Sequence, residues 1–224
     1  MSLDTWEVPD RLYLARGDEV SPYRPLFTGD VLDDVSIPGV QDNGPGIVVA
    51  HPCSMRGRDA QLADRILMAA VAVHDAVPAR RWTDGYIDRM PLPELRGPEA
   101  PFEVGWLDRV GRADRDRLLT ATRISCLSTV GVNMLQQRLV CTLTRLEIPT
   151  AVFWEAFGHT FEEADLLEDW TDSLASAAVQ PGDVAATFET WIRADDRQER
   201  LKDAQQRAPV RAEMRAELRR QQDQ

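Results

Sequence analysis

Lysine and cysteine are scarce in this sequence, and their scarcity narrows the chemistry that it can support. Lys202 is the single lysine among 26 basic residues, a bias typical of a GC-rich bacterial genome. The three cysteines, Cys53, Cys126 and Cys141, form no CxxC pair, so the spacing of a structural zinc site is missing. With only three histidines in the chain, we expect no metal site, no cofactor, and thiols that suit a reducing cytosol.

The sequence also lacks long apolar runs and an excess of positive charge. No stretch approaches the roughly 18 apolar residues of a membrane span, and the first residues, MSLDTWEVPD, lack the basic and apolar regions of a secretory signal. We therefore expect a cytoplasmic protein with no membrane partner. The net charge of −11 argues against a general phosphate-binding surface, but it does not exclude a local basic groove.

The N-terminal half contains the strand signals. The β-branched run at 47–50 predicts a strand, and 38–46, rich in Gly, Pro, Asp and Asn, predicts the loop before it. We interpret the apolar run at 66–73 as a second strand, because Pro78 and the Asp-Gly turn at 84–85 leave little room for a long helix. Shorter elements are expected at 102–107 (strand), 114–122 (helix) and 124–127 (strand).

Helices are predicted in the C-terminal half. The first begins after Ser128, a good N-cap, and ends before Pro149. Its apolar stripe is expected to comprise Leu135, Leu139, Leu143 and Leu146. A second helix is expected from 150 to about 178, and a third is expected to be capped by Asp183 after the break at 180–182.

These elements predict four segments in an α+β protein with a small β-barrel followed by a C-terminal helical region. The segments are an N-terminal arm at 1–23, the barrel with its following helix at 24–148, a helical extension at 149–193, and a charged tail at 194–224. We expect the tail to be a frayed helix or disordered, because it has few large apolar residues.

Residues 24–146 resemble the PemK/MazF-like family, whose fold is an SH3-like barrel. The resemblance lies in the order and spacing of five pieces that cover about half of the chain. They are Thr28-Gly-Asp-Val31, Ile47-Val-Val-Ala-His-Pro52, Ile66-Leu-Met-Ala-Ala-Val71, Trp106 to Asp114, and Ile124-Ser-Cys-Leu-Ser128. The resemblance implies an SH3-like barrel, a toxin-antitoxin setting in a bacterium and a tendency to dimerise.

Toxins of that family cut RNA without a metal, using the 2′-hydroxyl of the RNA as the nucleophile. Arginines and a hydroxyl residue supply the catalytic environment, and here the matching positions differ. The loop at 41–46 has no arginine, Ala72 matches the hydroxyl residue, and Gly111 matches the later arginine. Loss of such groups removes stabilisation of the transition-state charge. We therefore predict a non-catalytic, or atypical, family member that binds protein or nucleic acid.

Two alternatives remain open. The first is a metal-independent endoribonuclease toxin with relocated residues, using Arg56, Arg58, Arg109 and Arg112 near Asp108. The second is a self-associating structural or interaction protein.

Arginines near the barrel are the candidates for binding RNA or another phosphate ligand. Arg56, Arg58 and Arg65 come from the loop before the 66–73 strand, and Arg109 and Arg112 could line the same groove. The alternative is that the loop arginines pair with Asp59 and Asp64 in solvent.

His51 and Cys53 are further candidates, because they are two residues apart after a strand. Residues with that spacing share a face of a strand, so a Cys-His nucleophile pair is conceivable. The alternative is that His51-Pro52 ends the strand and Cys53 packs at the rim of the barrel.

The second predicted helix combines aromatic residues with a one-sided charge. Seven acids and no Lys or Arg occur from Glu155 to Asp172. Trp154, Phe157, Phe161 and Trp170 are the candidates for binding a protein partner, with the acidic side facing out. The alternative is that this aromatic face packs against the barrel.

Overall fold

The computed structural model describes residues 3–56, 61–174 and 181–222. The chain divides into two compact units. The first comprises residues 1–20, 26–55 and 62–155, and the second comprises residues 21–25, 56–61 and 156–224. The protein is α+β, with a curled antiparallel half-barrel in the first unit and helices towards the C-terminus.

Seven strands within the described residues form one antiparallel sheet. In chain order they are β1 (Tyr13–Arg16), β2 (Val31–Leu32), β3 (Gly46–Val48), β4 (Arg65–Val73), β5 (Arg89–Leu92), β6 (Glu103–Asp114) and β7 (Arg123–Leu127). Their order across the sheet is β1-β7-β2-β3-β4-β6-β5. The strand expected at 66–73 is confirmed, and so is the loop at 38–46 before β3.

The helices are α1 (Pro52–Met55), α2 (Arg115–Thr120), α3 (Thr129–Thr144), α4 (Thr150–Leu174), α5 (Pro181–Arg193), α6 (Arg197–Arg200) and α7 (Ala204–Gln222). Short 3-10 turns lie at Pro9–Leu12, Gly17–Glu19, Ala79–Trp82 and Ala194–Asp196. In the described part of the chain, no helix is both long enough and apolar enough to cross a membrane.

Strands β4 and β6 form the longest pairing and carry an irregularity that shapes the site described below. Ala69 pairs with Val110, but the next residue, Ala70, pairs with Trp106. Residues 107–109 are therefore additional residues that bulge from β6. A bulge re-aims the side chains around it, so Arg109 leaves the regular alternation of the strand, whereas Trp106 is the last regularly paired residue before the bulge.

Helix α3 begins as predicted, with the Ser128 hydroxyl accepting a hydrogen bond from the Gly131 amide at 3.2 Å. The predicted leucine stripe is wrong in its second half, since Leu143 and Leu146 are 76% and 60% exposed. The buried face instead contains Met134, Leu135 and the polar residues Asn133, Gln137 and Arg138. Polar side chains replace part of the expected apolar stripe.

The second unit has its own apolar core. Two predictions made for its helices are wrong. Helix α5 begins at Pro181, a favoured first helical position, so Asp183 lies inside the helix rather than capping it. The tail, expected to be frayed or disordered, contains α7, and its Val210, Met214 and Leu218 are buried against Trp170 and Phe188. The three apolar residues recur every four positions, which places them on one helical face.

Candidate nucleic-acid interface

The residue that organises the candidate site is Trp106 in β6. It pairs with Ala70 of β4 on one side and with Arg89 of β5 on the other. Directly opposed residues in a sheet share a face, so the Arg89 side chain lies on the same face as the Trp106 ring. The Arg89 guanidinium lies 4.2 Å from the centroid of that ring, within the range of a cation–π interaction.

A second guanidinium reaches the same ring from the bulge. Arg109 lies 4.2 Å from the Trp106 centroid, and its side chain is exposed. Among the described residues Arg109 forms no ion pair with a carboxylate. The half-buried indole of Trp106 therefore carries two guanidinium groups, of which the one from Arg109 is open to solvent.

His74 and Tyr86 complete this group, which we call the Trp106 platform (His74, Tyr86, Arg89, Trp106 and Arg109). The His74 and Tyr86 rings meet edge to face at 5.7 Å, and His74 lies 6.3 Å from Trp106. The His74 Nε2 atom accepts a hydrogen bond from Arg89 Nη1 at 3.0 Å, and its Nδ1 atom lies 2.7 Å from the Asp75 carbonyl. Arginine can only donate and a carbonyl can only accept, so the proton resides on Nδ1.

Two buried N–H groups of the platform lack an acceptor. Trp106 Nε1 and Arg89 Nε have no hydrogen-bond partner among the described residues. The Asp88 carboxylate is 3.9 Å from Arg89 Nε, which is too far for a hydrogen bond. Unsatisfied buried donors are uncommon in folded proteins and call for an explanation.

Buried Arg138 of α3 holds the backbone that carries Tyr86 and Arg89. It is fully buried, and its guanidinium donates to the carbonyls of Trp82, Tyr86, Arg89 and Asp4 at 2.8–3.4 Å. Burial lowers the pKa of Arg138 to about 10, which leaves it charged at neutral pH. Its charge is therefore compensated by backbone dipoles.

A second tether from α3 holds the same segment. The Thr142 hydroxyl, one helical turn after Arg138, donates to the Ile87 carbonyl at 2.7 Å. Between these contacts, Tyr86 adopts a left-handed backbone conformation with φ of 53°. That conformation is costly for a residue with a side chain, so the two tethers stabilise a strained turn at the platform.

The predicted arginine groove is only partly assembled. Leu67 pairs with Arg112, and Arg65 pairs with Asp114, so Arg65 and Arg112 share one face of the β4–β6 pair and both are exposed. Arg109 lies over Trp106 instead. Arg58 lies outside the described residues, and Arg56 belongs to the second unit.

His51 and Cys53 do not form the nucleophile pair expected from strand spacing. Residues 52–55 form the helical turn α1, so the two side chains do not alternate along a strand. The His51 Nδ1 atom accepts from the backbone amide of Cys53 at 3.2 Å, and the Cys53 thiol is exposed. The candidate Asp108 lies exposed in the bulge, two residues from Trp106.

The position that matches a family arginine is structurally closed. A Cβ atom placed on Gly111 would lie 2.6 Å from Ile37 Cγ2 and 3.3 Å from the Pro38 carbonyl oxygen. The loop at 37–41 therefore occupies the space that a side chain would need. Ala72 remains half-buried opposite Val104.

The aromatic residues proposed to bind a partner are divided. Phe161 and Trp170 are buried, Phe157 is half-buried, and Trp154 is 54% exposed. The acids of α4 do not simply face solvent. Arg24 bonds Asp165 and Glu168 at 2.9 and 2.7 Å, and Arg211 bonds Glu162 and Asp169, both at 2.8 Å. The one-sided charge of α4 is therefore largely matched inside the second unit.

Sequence reasoning included Arg109 but missed Trp106, His74, Tyr86 and Arg89 as site residues. They come from separate segments, which strand pairing and the contacts from α3 bring together. In the described part of the chain, no group of three or more His, Cys, Asp or Glu is arranged to hold a metal ion. Comparison with protein-family models and with curated proteins finds no match to this chain.

Proposed function

We propose that this protein binds single-stranded RNA through the Trp106 platform, as a non-catalytic relative of the PemK/MazF-like barrels. The observation that supports this most is the exposed guanidinium of Arg109 over the half-buried Trp106 ring. Proteins that bind single strands combine aromatic rings that stack on bases with cations that follow the phosphates. The order of β3, β4, β6, β7 and α3 supports the proposed family frame.

Binding is expected to begin with the exchange of Arg109 for a base. Arg109 is exposed and makes no ion pair in the described structure, so it can leave the ring without breaking a salt bridge. A base then stacks on the indole, and the released guanidinium reaches a phosphate. A phosphate oxygen near the platform would also give the two unsatisfied N–H donors, Trp106 Nε1 and Arg89 Nε, an acceptor.

Arg65 and Arg112 do not extend the platform, because Arg65 shares a face of β4 with Ala69, whereas Ala70 and its partner Trp106 point to the other face. Both arginines are exposed, and within the described residues neither forms an ion pair. The exposed cation on the platform face is Arg109, and a single phosphate contact predicts that the logarithm of affinity falls with the logarithm of salt with a slope of about −0.7. That shallow slope agrees with an acidic protein whose affinity comes mainly from stacking.

The test is fluorescence anisotropy with a labelled ten-nucleotide RNA of mixed sequence. Trp106→Ala should weaken binding by about tenfold or more, since stacking of one base is worth about 1–3 kcal/mol. Arg109→Ala should weaken it less and should reduce the salt slope. Arg219→Ala, which removes an exposed arginine of α7 with no ion pair in the described structure, serves as the control. Equal affinities for wild type and Trp106→Ala would refute the proposal.

A second function, RNA cleavage, is favoured by one observation. Arg89 occupies the His74 Nε2 atom at 3.0 Å, and a phosphate that drew Arg89 away would free that atom as a base. His74 could then take the proton of a 2′-hydroxyl as the O2′–P bond forms. The P–O5′ bond would break, the 5′-oxygen would take a proton from water, and a 2′,3′-cyclic phosphate would remain.

Cleavage is tested by incubating the protein with a mixed RNA pool and mapping the new ends. The binding proposal expects no site-specific cuts. Cuts with cyclic-phosphate ends that vanish in His74→Gln would instead establish the second function. Cuts that vanish in the Arg109→Ala/Arg112→Ala double variant but persist in His74→Gln would instead assign catalysis to Arg109 and Arg112.

A further inference from the structure

A cleft on the first unit, away from the platform residues, has the features of a binding site for a small ligand. It has a volume of about 440 Å³, within the usual range for ligand pockets. It lies between the N-terminal segment, the first half of α3 and the first turn of α4. We call it the Trp154 cleft, and its main lining residues are Asp4, Trp6, Glu7, Asn133, Met134 and Trp154.

The apolar wall of the cleft includes an exposed tryptophan. Trp154 is 54% exposed, whereas Trp6 and Met134 are buried and held by the core. An indole has a large apolar face and a negative electrostatic potential over its ring, which attracts cations. The exposed ring of Trp154, near the N-terminus of α4, gives the cleft an apolar surface that a ligand can cover.

The buried side of the cleft contains an unsatisfied acceptor. Asn133 is 2% exposed and lines the cleft, and its Oδ1 atom has no hydrogen-bond partner among the described residues. Gln137, one turn further along α3, differs from Asn133 in that both of its side-chain amide atoms have partners. Its amide nitrogen donates to the Ile148 carbonyl and its Oε1 accepts from the Asp4 amide. The Asn133 oxygen therefore lacks the donor that a ligand could bring.

The charged side chains around the cleft are Asp4, Glu7 and Arg11. The Asp4 Oδ2 atom accepts from the Thr150 hydroxyl at 2.6 Å, while the second carboxylate oxygen has no such bond in the described structure. Glu7 is highly exposed and pairs with Arg11 at 3.2 Å. Because Arg11 and Glu7 pair with each other, Asp4 is the lining charge that forms no salt bridge in the described structure. Its carboxylate would repel an anionic ligand and would accept from the N–H groups of a cation.

We infer that the Trp154 cleft binds an organic cation on an aliphatic stem, namely an alkylguanidinium or alkylammonium group. The stem packs on Met134 and Trp6, the cation lies against the Trp154 ring, and its N–H groups reach Asn133 Oδ1 and the Asp4 carboxylate. This chemistry is shared by free amines of metabolism and by arginine or lysine side chains. The inference is independent of RNA binding.

Isothermal titration calorimetry of the full chain with n-butylguanidinium and its neutral isostere n-butylurea tests the charge requirement. The cation should bind, and n-butylurea should bind at least tenfold more weakly. Trp154→Ala should weaken cation binding by about tenfold, in line with loss of a cation–π contact. Val152→Ala is the matched control, because Val152 is similarly exposed on α4 but does not line the cleft.

Asn133→Leu provides a second variant, with circular dichroism to show that α3 has folded. It should lose cation affinity while retaining the helical spectrum. A further arm compares N-acetylarginine amide with an arginine-centred pentapeptide, and tighter binding of the peptide would identify a protein side chain as the source. Equal binding of urea and guanidinium, no binding at millimolar concentration, or unchanged binding in Trp154→Ala would overturn the inference.

Discussion

The two units treat their arginines in different ways. In the second unit, Arg24 and Arg211 each bond two carboxylates of α4. In the first unit, buried Arg138 donates to backbone carbonyls, and exposed Arg109 lies over an aromatic ring. Arginine charge in the second unit is paired with carboxylates of α4, whereas in the first unit it holds a strained turn or lies over an aromatic ring. The same residue type therefore serves packing in one unit and leaves an exposed cation in the other.

Deletion of residues 204–224 should produce the largest effect and would test whether the units are energetically separate. Removal of α7 exposes the buried face that contains Trp170 and Phe188, so α4 beyond Glu155 and α5 should lose protection. Hydrogen exchange measured by mass spectrometry should show fast exchange there and unchanged protection in β4 and β6. Loss of protection in the strands as well would mean that the two units form one cooperative structure.

Arg138→Met should destabilise the protein more than Arg24→Met does. Loss of Arg138 removes its donor from the buried Trp82 carbonyl and from the partly buried carbonyls of Asp4 and Arg89, whereas the Tyr86 carbonyl keeps the Arg89 amide. We expect a cost of about 3 kcal/mol or more. Loss of Arg24 leaves Asp165 and Glu168 partly exposed to water, so we expect about 1–2 kcal/mol. Urea denaturation measures both values. A more stable Arg138→Met variant would show that desolvation of the arginine outweighs its hydrogen bonds.

Leu135→Ala and Leu143→Ala compare the two faces of α3. Leu135 is fully buried, so its truncation should cost about 2–4 kcal/mol. Leu143 is 76% exposed, and its truncation should change the unfolding free energy by less than about 0.5 kcal/mol. Thermal unfolding followed by circular dichroism separates these outcomes. Equal costs would mean that Leu143 also packs in the core, as the periodicity of the leucines predicts.

Glu163→Gln should give the smallest effect and probes charge inside the second unit. Burial raises the pKa of Glu163, although Gln198 donates to its carboxylate. The folded state therefore holds the proton more tightly than the unfolded state, and ionisation of Glu163 costs stability as pH rises above its ordinary range. The variant should be slightly more stable at pH 7, and the difference should vanish near pH 4. A variant that is less stable at pH 7 would contradict this sign.

The sequence predicted the strands better than the faces of the helices. Strand β4 was predicted because its apolar run is bounded by turn residues, and Ser128 because it is a recognisable N-cap. The buried face of α3 was not predicted, since Arg138 counts as polar in any periodicity and its carbonyl partners lie 49–134 residues earlier in the chain. The apolar face of α7 has a sequence signal, because Val210, Met214 and Leu218 recur every four positions. The charged residues between them obscure that spacing.

The candidate site was the least predictable part. Arg109 followed from the family resemblance, but its position over the ring depends on the bulge at 107–109. His74, Tyr86 and Arg89 join Trp106 through strand pairing and the contacts from α3. A bulge has no reliable sequence signature, and without it Arg109 would have no defined relation to the ring. Local patterns therefore located the elements of the barrel but not the groups that meet on its surface.

The contact between Gly111 and Ile37 has an evolutionary consequence. A single codon change that placed arginine at position 111 would put its Cβ 2.6 Å from Ile37 Cγ2 and would be selected against as a folding defect. A smaller residue at position 37 would have to come first, at the expense of a fully buried isoleucine. The order of the two substitutions is thus constrained, because the residue at position 37 must become smaller before position 111 can accommodate an arginine.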